Sequence, residues 1–404
     1  MSQLSPQVLL EAASRYGTPL YCYDANQISE QYAKLKAAFA GCDARFFYAA
    51  KALTNQHILK HILSLGCSVD CSSINELKLA QLAGFQSGQI LYTSNSVDFS
   101  EIEEAVSLGA FVNVDSLSAL EKFGKKYGNS YPLGLRLRPN IMAGGNLKIS
   151  TGHADSKFGI PVEQLERILE LVRQYDIRIH TLHIHTGSEI KEASVFIQGV
   201  HFLLSLAPSF SHLKVIDLGG GFKVPYHPSE KGTDLVEISN SLREIVAGHT
   251  QQTGQSLQVW FEPGKFLVCE SGYLLTKVNV IKNNGSYSFA GVDTGLNHLI
   301  RPMLYEAYHV IENCSNPTGS LKKYQVVGNI CETDTLGADR ELPEVAEGDI
   351  LVIRNAGAYG FEMSSQYNAR FRPAEVLVEN GGIRLIRRRE TIDDLLRTQE
   401  NFKQ

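Results

Sequence analysis

The chain has 404 residues, of which 43% are hydrophobic and 20% charged, so it can bury a large core and we expect one large and one smaller domain. A net charge of -5 and an isoelectric point near 6.2 exclude the broad basic field of a protein that binds nucleic acid or an anionic membrane, and favour a small-molecule partner. The sequence shows no recognisable leader and no apolar run of roughly 18 residues, so we expect a cytoplasmic protein. Its seven cysteines include no CxxC pair, so we expect reduced thiols and no metal site.

From about residue 46 to residue 264 the sequence repeats one pattern, a short apolar run that ends in glycine or polar residues and precedes a helical periodicity. The runs are FFYAAK (46–51), SVDCSS (68–73), QILYTSN (89–95), AFVNVDS (110–116), GLRLRPN (134–140), TLHIHTGS (181–188), VIDLGGG (215–221) and VWFEPG (259–264). Continuous apolarity is typical of parallel strands buried on both faces. Between them, Ser73 and Glu76 have the spacing of a capping box. Eight strand and helix units predict an α/β (β/α)8 TIM barrel over residues 25–270.

After about residue 270 the pattern changes to alternating strands separated by turns, such as KYQVVGNICE and AEVLVENGGIRLIRR. This alternation predicts a second, mainly antiparallel β domain over residues 271–404. The segment PLYCYD (19–24) also has the composition of a strand. We expect it to join the second sheet, so that residues 1–24 belong to that domain.

Chemically useful groups directly follow several of the predicted barrel strands. They are Lys51 after FFYAA, His185 and Ser188 after LHI, the run Gly219, Gly220 and Gly221 after IDL, and Glu262 after VWF. Taken singly, such a lysine is usually solvated, such a histidine usually lies in the core, and such a glycine run usually forms a tight turn. In a barrel of this kind, however, the carboxyl ends of the strands form the active site, so these groups are expected at one mouth.

Together these residues indicate pyridoxal phosphate. Glycines let backbone N–H groups approach a phosphate, and a protonated pyridine nitrogen needs an anionic partner, here Glu262. A lysine amine can hold the cofactor as a Schiff base, provided that desolvation or nearby cations keep it partly neutral. His185 is suited to lie flat against the ring. His183 points to the same side of the strand, and we interpret it as a core histidine satisfied by backbone groups.

Longer motifs carry a resemblance over almost the whole chain. They are YAAKA (48–52), VDCSS (69–73), STGHADSKFGI (150–160), HTGSEI (185–190), DLGGGF (217–222), EPGKFLV (262–268), RPMLY (301–305), CET (331–333) and NAGAYGFEMSSQYN (355–368). In content and order they resemble the alanine-racemase-fold pyridoxal-phosphate decarboxylases, and among these most closely the diaminopimelate decarboxylase family of lysine biosynthesis. The resemblance therefore implies a decarboxylase that uses pyridoxal phosphate.

By position, the resemblance makes Lys51 the Schiff-base residue, His185 the ring-stacking residue and Glu262 the partner of the pyridine nitrogen. The residues that would hold the phosphate are Ser188, Gly221, Gly264 and Tyr367, beside Gly219 and Gly220. Asp70 and Arg136 would support the lysine and the hydroxyl side of the cofactor. Cys331 would return a proton after carbon dioxide leaves. In the family this cysteine reaches the active site of the neighbouring subunit, which implies a homodimer with two shared sites.

The substrate is inferred from charge. The far end of meso-diaminopimelate carries an ammonium and a carboxylate, and both need partners once they are desolvated. Glu332 can take the ammonium, whereas Arg301 offers a planar fork to the carboxylate, with Tyr305 available for a further hydrogen bond. Lys265, where the family usually has arginine, and Tyr367 complete the expected substrate contacts.

Other functions remain open at this point. A related enzyme could decarboxylate another diamine precursor, namely carboxynorspermidine, ornithine, lysine or arginine. The ornithine enzymes place Asp after the catalytic cysteine, so Glu332 favours diaminopimelate. A racemase is disfavoured because nothing resembles its paired lysine and tyrosine bases. A non-catalytic homologue that binds the cofactor is disfavoured by the intact Lys51 and Cys331.

Overall fold

The computed structural model describes residues 4–141 and 156–400, which fall into two compact units. The barrel unit comprises Gln31–Val224 and Lys231–Phe266. The sheet unit comprises the chain up to Glu30, Pro225–Glu230 and the chain from Leu267 onward. Residues 150–155 of the motif STGHADSKFGI lie outside the described residues. Within the described ranges, no helix combines the length and the apolar character needed to cross a bilayer.

The first strand, β1 (Leu20–Asp24), belongs to the sheet unit, and the next nine belong to the barrel unit. These nine are β2 (Ala44–Ala49), β3 (Ser68–Cys71), β4 (Ile90–Thr93), β5 (Phe111–Val114), β6 (Leu133–Arg138), β7 (Ile160–Pro161), β8 (Ile179–His183), β9 (Val215–Asp217) and β10 (Gln258–Phe261). All their pairings are parallel, in the order β5-β4-β3-β2-β10-β9-β8-β6, and β5 pairs with β6 to close the barrel. The short β7 adds to β6. The eight predicted strands and the predicted barrel are therefore confirmed.

In the first two-thirds of the chain, the described helices follow strands as the periodicity predicts, except α1, which precedes β1. They are α1 (Pro6–Tyr16), α2 (Ala25–Ala38), α3 (Gln56–Ser64), α4 (Ile74–Ala83), α5 (Phe99–Ser107), α6 (Leu117–Tyr127), α7 (Leu165–Gln174), α8 (Ala193–Leu206), α9 (Leu235–Thr253) and α10 (Lys265–Val268). Helix α4 begins at the predicted signal, since Ser73 accepts a hydrogen bond from the N–H of Glu76. The Glu76 carboxylate accepts from the N–H of Ser72, one residue earlier than in a standard capping box. Its end at Gly84 uses a left-handed backbone conformation, φ 109°.

Aromatic side chains fill the amino-terminal end of the barrel. The Trp260 ring lies 4.6 Å from that of Phe47 and 4.9 Å from that of Phe111, measured between centroids. The guanidinium of Arg45 lies 4.7 Å from the Phe47 ring centroid, a cation–π contact. Large apolar groups thus occupy this end. The polar residues that follow the strands lie at the opposite, carboxyl end.

The sheet unit is built on the N-terminal strand. Its other strands are β11 (Gly272–Asn284), β12 (Tyr287–Val292), β13 (Ile311–Asn313), β14 (Leu321–Val327), β15 (Thr335–Pro343), β16 (Ile350–Ile353), β17 (Ala374–Glu379) and β18 (Gly382–Arg387). Two short helices, α11 (Arg301–Tyr305) and α12 (Ile392–Leu396), accompany them. Strand β1 pairs antiparallel with β11 and parallel with β17, and all five of its residues are buried. The other pairings are antiparallel except β12 with β14, so the predicted second sheet and its N-terminal strand are confirmed.

A buried polar contact in this sheet gives a stability prediction. The Tyr23 hydroxyl donates a 2.8 Å hydrogen bond to Glu375, and both side chains are fully buried. Arg387 pairs with the other oxygen of the same carboxylate. We expect Tyr23→Phe to lower the free energy of unfolding of the sheet unit by about 1–3 kcal/mol, because a buried carboxylate oxygen loses its donor. Urea titration followed by circular dichroism measures this loss.

The matched control is Tyr16→Phe, since the Tyr16 hydroxyl is only partly buried and donates a long 3.4 Å bond to the Ile383 carbonyl. Its effect should stay within about 0.5 kcal/mol. Equal losses in the two variants would contradict the importance assigned to the Tyr23 bond.

Candidate active site

Lys51 lies at the rim of the barrel, in a single 3-10 turn (Ala50–Ala52) that directly follows β2. Its Nζ lies 3.7 Å from Oδ2 of Asp70 on the neighbouring strand. Asp70 is fully buried, and neither of its oxygens accepts a hydrogen bond from the described residues. Burial, and then the charge of Glu262, raises the pKa of Asp70 well above its usual range, although Lys51 opposes the shift. The Lys51 side chain is 44% exposed, so the described residues do not supply the desolvation expected for this amine.

Three buried side chains meet beside this lysine, at the ends of β8, β9 and β10. They are His183, Asp217 and Glu262, whose ligand atoms lie within 4.8 Å of one another. Burial alone would raise the pKa of Glu262, but His183, Lys51 and His185 lower it to about 2. Burial and the charge of Glu262 raise the pKa of Asp217 well above its usual range. These surroundings favour the ionised form of Glu262 and the protonated form of Asp217.

The interpretation of His183 as a core histidine satisfied by backbone groups is wrong. The side chain is buried, but no hydrogen bond from the described residues reaches either ring nitrogen. Its Nε2 instead lies 3.3 Å from Oε1 of Glu262, close enough for a charge contact although not aligned as a hydrogen bond. Burial lowers the pKa of His183, and the Glu262 carboxylate opposes that shift. Strand alternation predicted the side on which His183 lies, but not its partner.

The glycine run after β9 forms a turn that larger residues would block. Gly219 and Gly221 have left-handed backbones, with φ 67° and 109°. A Cβ at Gly220 would lie 2.3 Å from the carbonyl oxygen of Glu262, and a Cβ at Gly221 would lie 2.5 Å from that of Gly187. The chain thus needs glycine here because other backbones approach closely, and the same lack of side chains leaves room for a phosphate.

His185 is fixed by this turn. Its Nδ1 accepts a 3.2 Å hydrogen bond from the N–H of Gly220, which places the ring proton on Nε2. Burial, followed by the cations Arg136 and Lys51, lowers the pKa of His185 to about 3. Arg136 is itself buried and stacks over the Phe158 ring at 4.7 Å. His185 is therefore a neutral ring of set orientation, as stacking on a cofactor requires.

Two loops flank the glycine run and contribute the remaining predicted cofactor residues of the barrel unit. Ser188 is half-buried in the loop after β8, and the next residue, Glu189, adopts φ 64°. Gly264 lies in the loop after β10, where a Cβ would approach the Cβ of Ala49 to 3.1 Å. Lys265 follows, and its buried ammonium pairs with the Glu189 carboxylate. This ion pair joins the two loops.

The other predicted residues lie in the sheet unit. Cys331 is in the connection between β14 and β15, not in a strand, and is exposed. Its N–H donates to Asn368 at 2.9 Å, while the Tyr367 hydroxyl donates to the neighbouring Glu332 carboxylate at 2.9 Å. The structure therefore brings the predicted acid, the predicted ammonium partner and Tyr367 together.

Arg301 and Tyr305 begin and end helix α11, so their spacing is that of one helical turn. Arg301 is buried, and its guanidinium lies 4.9 Å from the Tyr226 ring and 5.6 Å from the Tyr305 ring. Stacked between aromatic rings, the guanidinium plane has a fixed orientation.

The residues of the barrel unit fit pyridoxal phosphate. Lys51 supplies an amine, Glu262 a buried ionised carboxylate, the glycine run an open backbone turn and His185 a neutral ring. Asp70 offers carboxyl oxygens that accept no hydrogen bond within the described ranges. The group of His183, Asp217 and Glu262 also has the spacing of a small metal site, but the chemistry of the surrounding residues fits pyridoxal phosphate.

Four residues of this arrangement were not predicted as site residues: Thr93, Asn113, His183 and Asp217. Thr93 and Asn113 are polar residues inside the apolar strands β4 and β5, and both are buried. Asp217 directly precedes the glycine run, and Gly219 donates its N–H to it at 2.9 Å. The available signal was a polar residue within a strand buried on both faces, where a partner is required.

Comparisons with known proteins agree with this site. Residues 25–269 match the pyridoxal binding domain of pyridoxal-dependent decarboxylases. The diaminopimelate decarboxylase of Methanothermobacter thermautotrophicus is 39% identical, covering 96% of this chain and 93% of that protein, and that of Aquifex aeolicus is 36% identical, covering 95% and 92%.

Among solved structures, diaminopimelate decarboxylase from Helicobacter pylori complexed with L-lysine has a TM-score of 0.88 and 32% identity, covering 96% of this chain and 98% of that one. The predicted resemblance and the predicted cofactor are confirmed. The chain belongs to the diaminopimelate decarboxylase family of pyridoxal-dependent decarboxylases, which are carboxy-lyases that use pyridoxal phosphate.

Proposed function

We propose that this protein converts meso-2,6-diaminopimelate to L-lysine and carbon dioxide, the last step of lysine biosynthesis. The observation that carries the proposal is that the Lys51 amine, beside Asp70, and the Glu262 carboxylate, whose pKa Lys51 helps to lower, lie at one barrel mouth, in a chain similar over nearly its full length to diaminopimelate decarboxylases. The match over residues 25–269 supports the limits 25–270 for the cofactor domain, with residues 1–24 and 271–404 forming the second domain.

When bound, pyridoxal phosphate supplies an electron sink that takes up the electron pair left by the departing carboxylate. Lys51 would hold the aldehyde carbon of the cofactor through Nζ, and Asp70 would accept from the lysine. Glu262 would keep the ring nitrogen protonated, and His185 would cover one face of the ring. Ser188, the glycine run Gly219–Gly221, Gly264 and Tyr367 would bind the phosphate, and Arg136 would bind the hydroxyl side.

On the substrate side, Cys331 would deliver from Sγ the proton that replaces carbon dioxide. Glu332 would bind the distal ammonium, and the hydrogen bond from Tyr367 supports this role because it fixes the carboxylate. Arg301 and Tyr305 would bind the distal carboxylate. Lys265 would contribute a positive point charge that it shares with Glu189.

We also propose a homodimer with shared active sites, located in the cytoplasm. Cys331, Glu332 and Tyr367 are exposed in the single chain, whereas a group that handles a proton and a charged substrate works best away from bulk water. A second copy covering these residues would provide that environment. The seven cysteines carry free thiols, which agrees with a reducing compartment.

The role of Lys51 is tested by Lys51→Ala. We expect turnover of diaminopimelate to fall by roughly a thousandfold or more, because the covalent attachment point is lost. Borohydride reduction and peptide mass spectrometry should find a pyridoxyl group on Lys51 of the wild-type protein. The control is Lys60→Ala, an exposed lysine of α3 in the same unit. Normal turnover of Lys51→Ala, or a label on another residue, would refute the assignment.

The role of Arg301 is tested by Arg301→Gln. We expect the KM for diaminopimelate to rise roughly 10- to 100-fold, because a charged hydrogen-bond pair is lost, while cofactor affinity stays unchanged. Release of carbon dioxide should also be compared across ornithine, lysine, arginine and carboxynorspermidine. Arg354→Gln is the control, since Arg354 pairs with Glu312 at 2.7 Å in the same unit. A wild-type preference for any of the other substrates would overturn the proposed specificity.

Shared sites are tested by complementation between two inactive variants. If each site takes Lys51 from one subunit and Cys331 from the other, half of the sites in a Lys51→Ala and Cys331→Ala heterodimer are intact. Random exchange of subunits should then restore about a quarter of the wild-type activity. Sedimentation equilibrium measures the oligomeric state in the same samples. A fully exchanged mixture without activity would argue against shared sites.

A further inference from the structure

Among the described residues, the two polar contacts of the Glu262 carboxylate fall on one of its two oxygens. His183 Nε2 lies 3.3 Å from Oε1, and the Thr93 hydroxyl donates to the same oxygen at 3.4 Å. No hydrogen bond from the described residues reaches Oε2. The carboxylate is thus held from one side, and its second oxygen is available.

The contact from Thr93 continues to a third side chain. Asn113 on β5 donates from Nδ2 to the Thr93 hydroxyl oxygen at 3.0 Å, which directs the hydroxyl proton toward Glu262. Asn113 faces Gly134 on β6, and a Cβ at Gly134 would lie only 1.8 Å from the Asn113 amide oxygen. A glycine in the middle of a buried strand therefore makes room for this amide.

We propose that His183, Thr93 and Asn113 are positioning residues that hold Oε1 of Glu262 and thereby aim Oε2 at the ring nitrogen of the cofactor. This inference rests on the proposed function, in which Glu262 is the partner of that nitrogen. It explains in addition how the Glu262 carboxylate stays charged inside the barrel and keeps one orientation. None of the three residues touches the reacting atoms in this arrangement.

His183 is suited to this role by its place in the barrel. It ends β8 and stands in register with Arg136 on one neighbouring strand and Asp217 on the other. Its neighbours there are the Arg136 guanidinium and the Asp217 carboxyl, and an imidazole with a proton on Nε2 presents that N–H toward Oε1 of Glu262. The side chain is 1% exposed, so bulk solvent does not reach the ring.

The charge state of Glu262 agrees with this geometry. Burial raises the pKa of this carboxyl, and contact with His183 is the first influence that lowers it. Removing the donors from Oε1 would leave a buried carboxylate less stabilised and free to rotate. The ring nitrogen would then lose both a fixed partner and a full negative charge.

The test isolates the ring nitrogen by comparing two probes. Dissociation constants of pyridoxal phosphate and of its 1-deaza analogue, in which C–H replaces the ring nitrogen, are measured on the cofactor-free full chain by absorbance titration. The ratio of the two constants reports only what the protein gains from that nitrogen. We expect wild-type protein to prefer pyridoxal phosphate by about tenfold or more, as for one charge-assisted hydrogen bond.

The variants are His183→Phe, which removes the donor, and His183→Gln, which restores an N–H at similar reach. We expect the preference to fall to within about threefold of unity in His183→Phe and to return largely in His183→Gln. Thr93→Val removes the second donor with little change of volume and should lower the preference even if His183→Phe does not fold. The control is His180→Phe on the same strand, where the imidazole is half-buried beside Trp260.

An unchanged preference in folded His183→Phe and Thr93→Val, or an equal fall in His180→Phe, would overturn the inference. A wild-type preference near unity would overturn it together with the assignment of Glu262. A strong preference that depends on His183, in wild-type protein that releases no carbon dioxide from diaminopimelate, would support the inference and overturn the proposed function instead.

Discussion

The barrel mouth is organised around one buried negative charge. A carboxylate taken out of water is costly unless donors or cations compensate it. At Glu262 the compensation comes from several strands at once: His183 ends β8, Thr93 ends β4, and Lys51 follows β2. Burial and the charge of Glu262 raise the pKa of the neighbouring carboxyls Asp70 and Asp217, which favours their protonated forms.

The second part of the barrel mouth is formed by backbone turns rather than by side chains. The glycine run after β9 lies so close to the loop after β10 that the Glu262 N–H donates to the Gly219 carbonyl at 2.8 Å. The same run donates to His185 and Asp217, which sets the orientation of the imidazole and of the carboxyl group. Loops are ordinarily the mobile parts of a fold. Here each loop is bonded to the next, so the groups they carry keep fixed positions.

The strands and helices of the barrel could be predicted because each buries its own apolar residues, and the spacing of those residues is visible within a short stretch of sequence. Lys51, His185 and Glu262 were found because they follow those strands directly. The partners of Glu262 were not found, since Thr93 and Asn113 are 169 and 149 residues away and meet it only when the barrel closes. His183 was assigned to the correct side of its strand but to the wrong partner, because strand alternation predicts the direction of a side chain and not its distance from other groups.

The pairing of Lys265 with Glu189 explains how the barrel tolerates lysine where the family usually has arginine. An arginine would present a rigid fork, whereas a lysine is a point charge that needs a partner to define its position. Glu189, held in a left-handed backbone conformation directly after Ser188, supplies that partner. Because the lysine charge is compensated within the protein, the neutral N–H groups of the glycine turn become the main attraction for a phosphate. Such groups cannot be neutralised by a counter-ion and keep their direction at every pH. In the proposed site, backbone N–H groups would therefore bind the cofactor anion, and the charge of Glu262 would serve the ring.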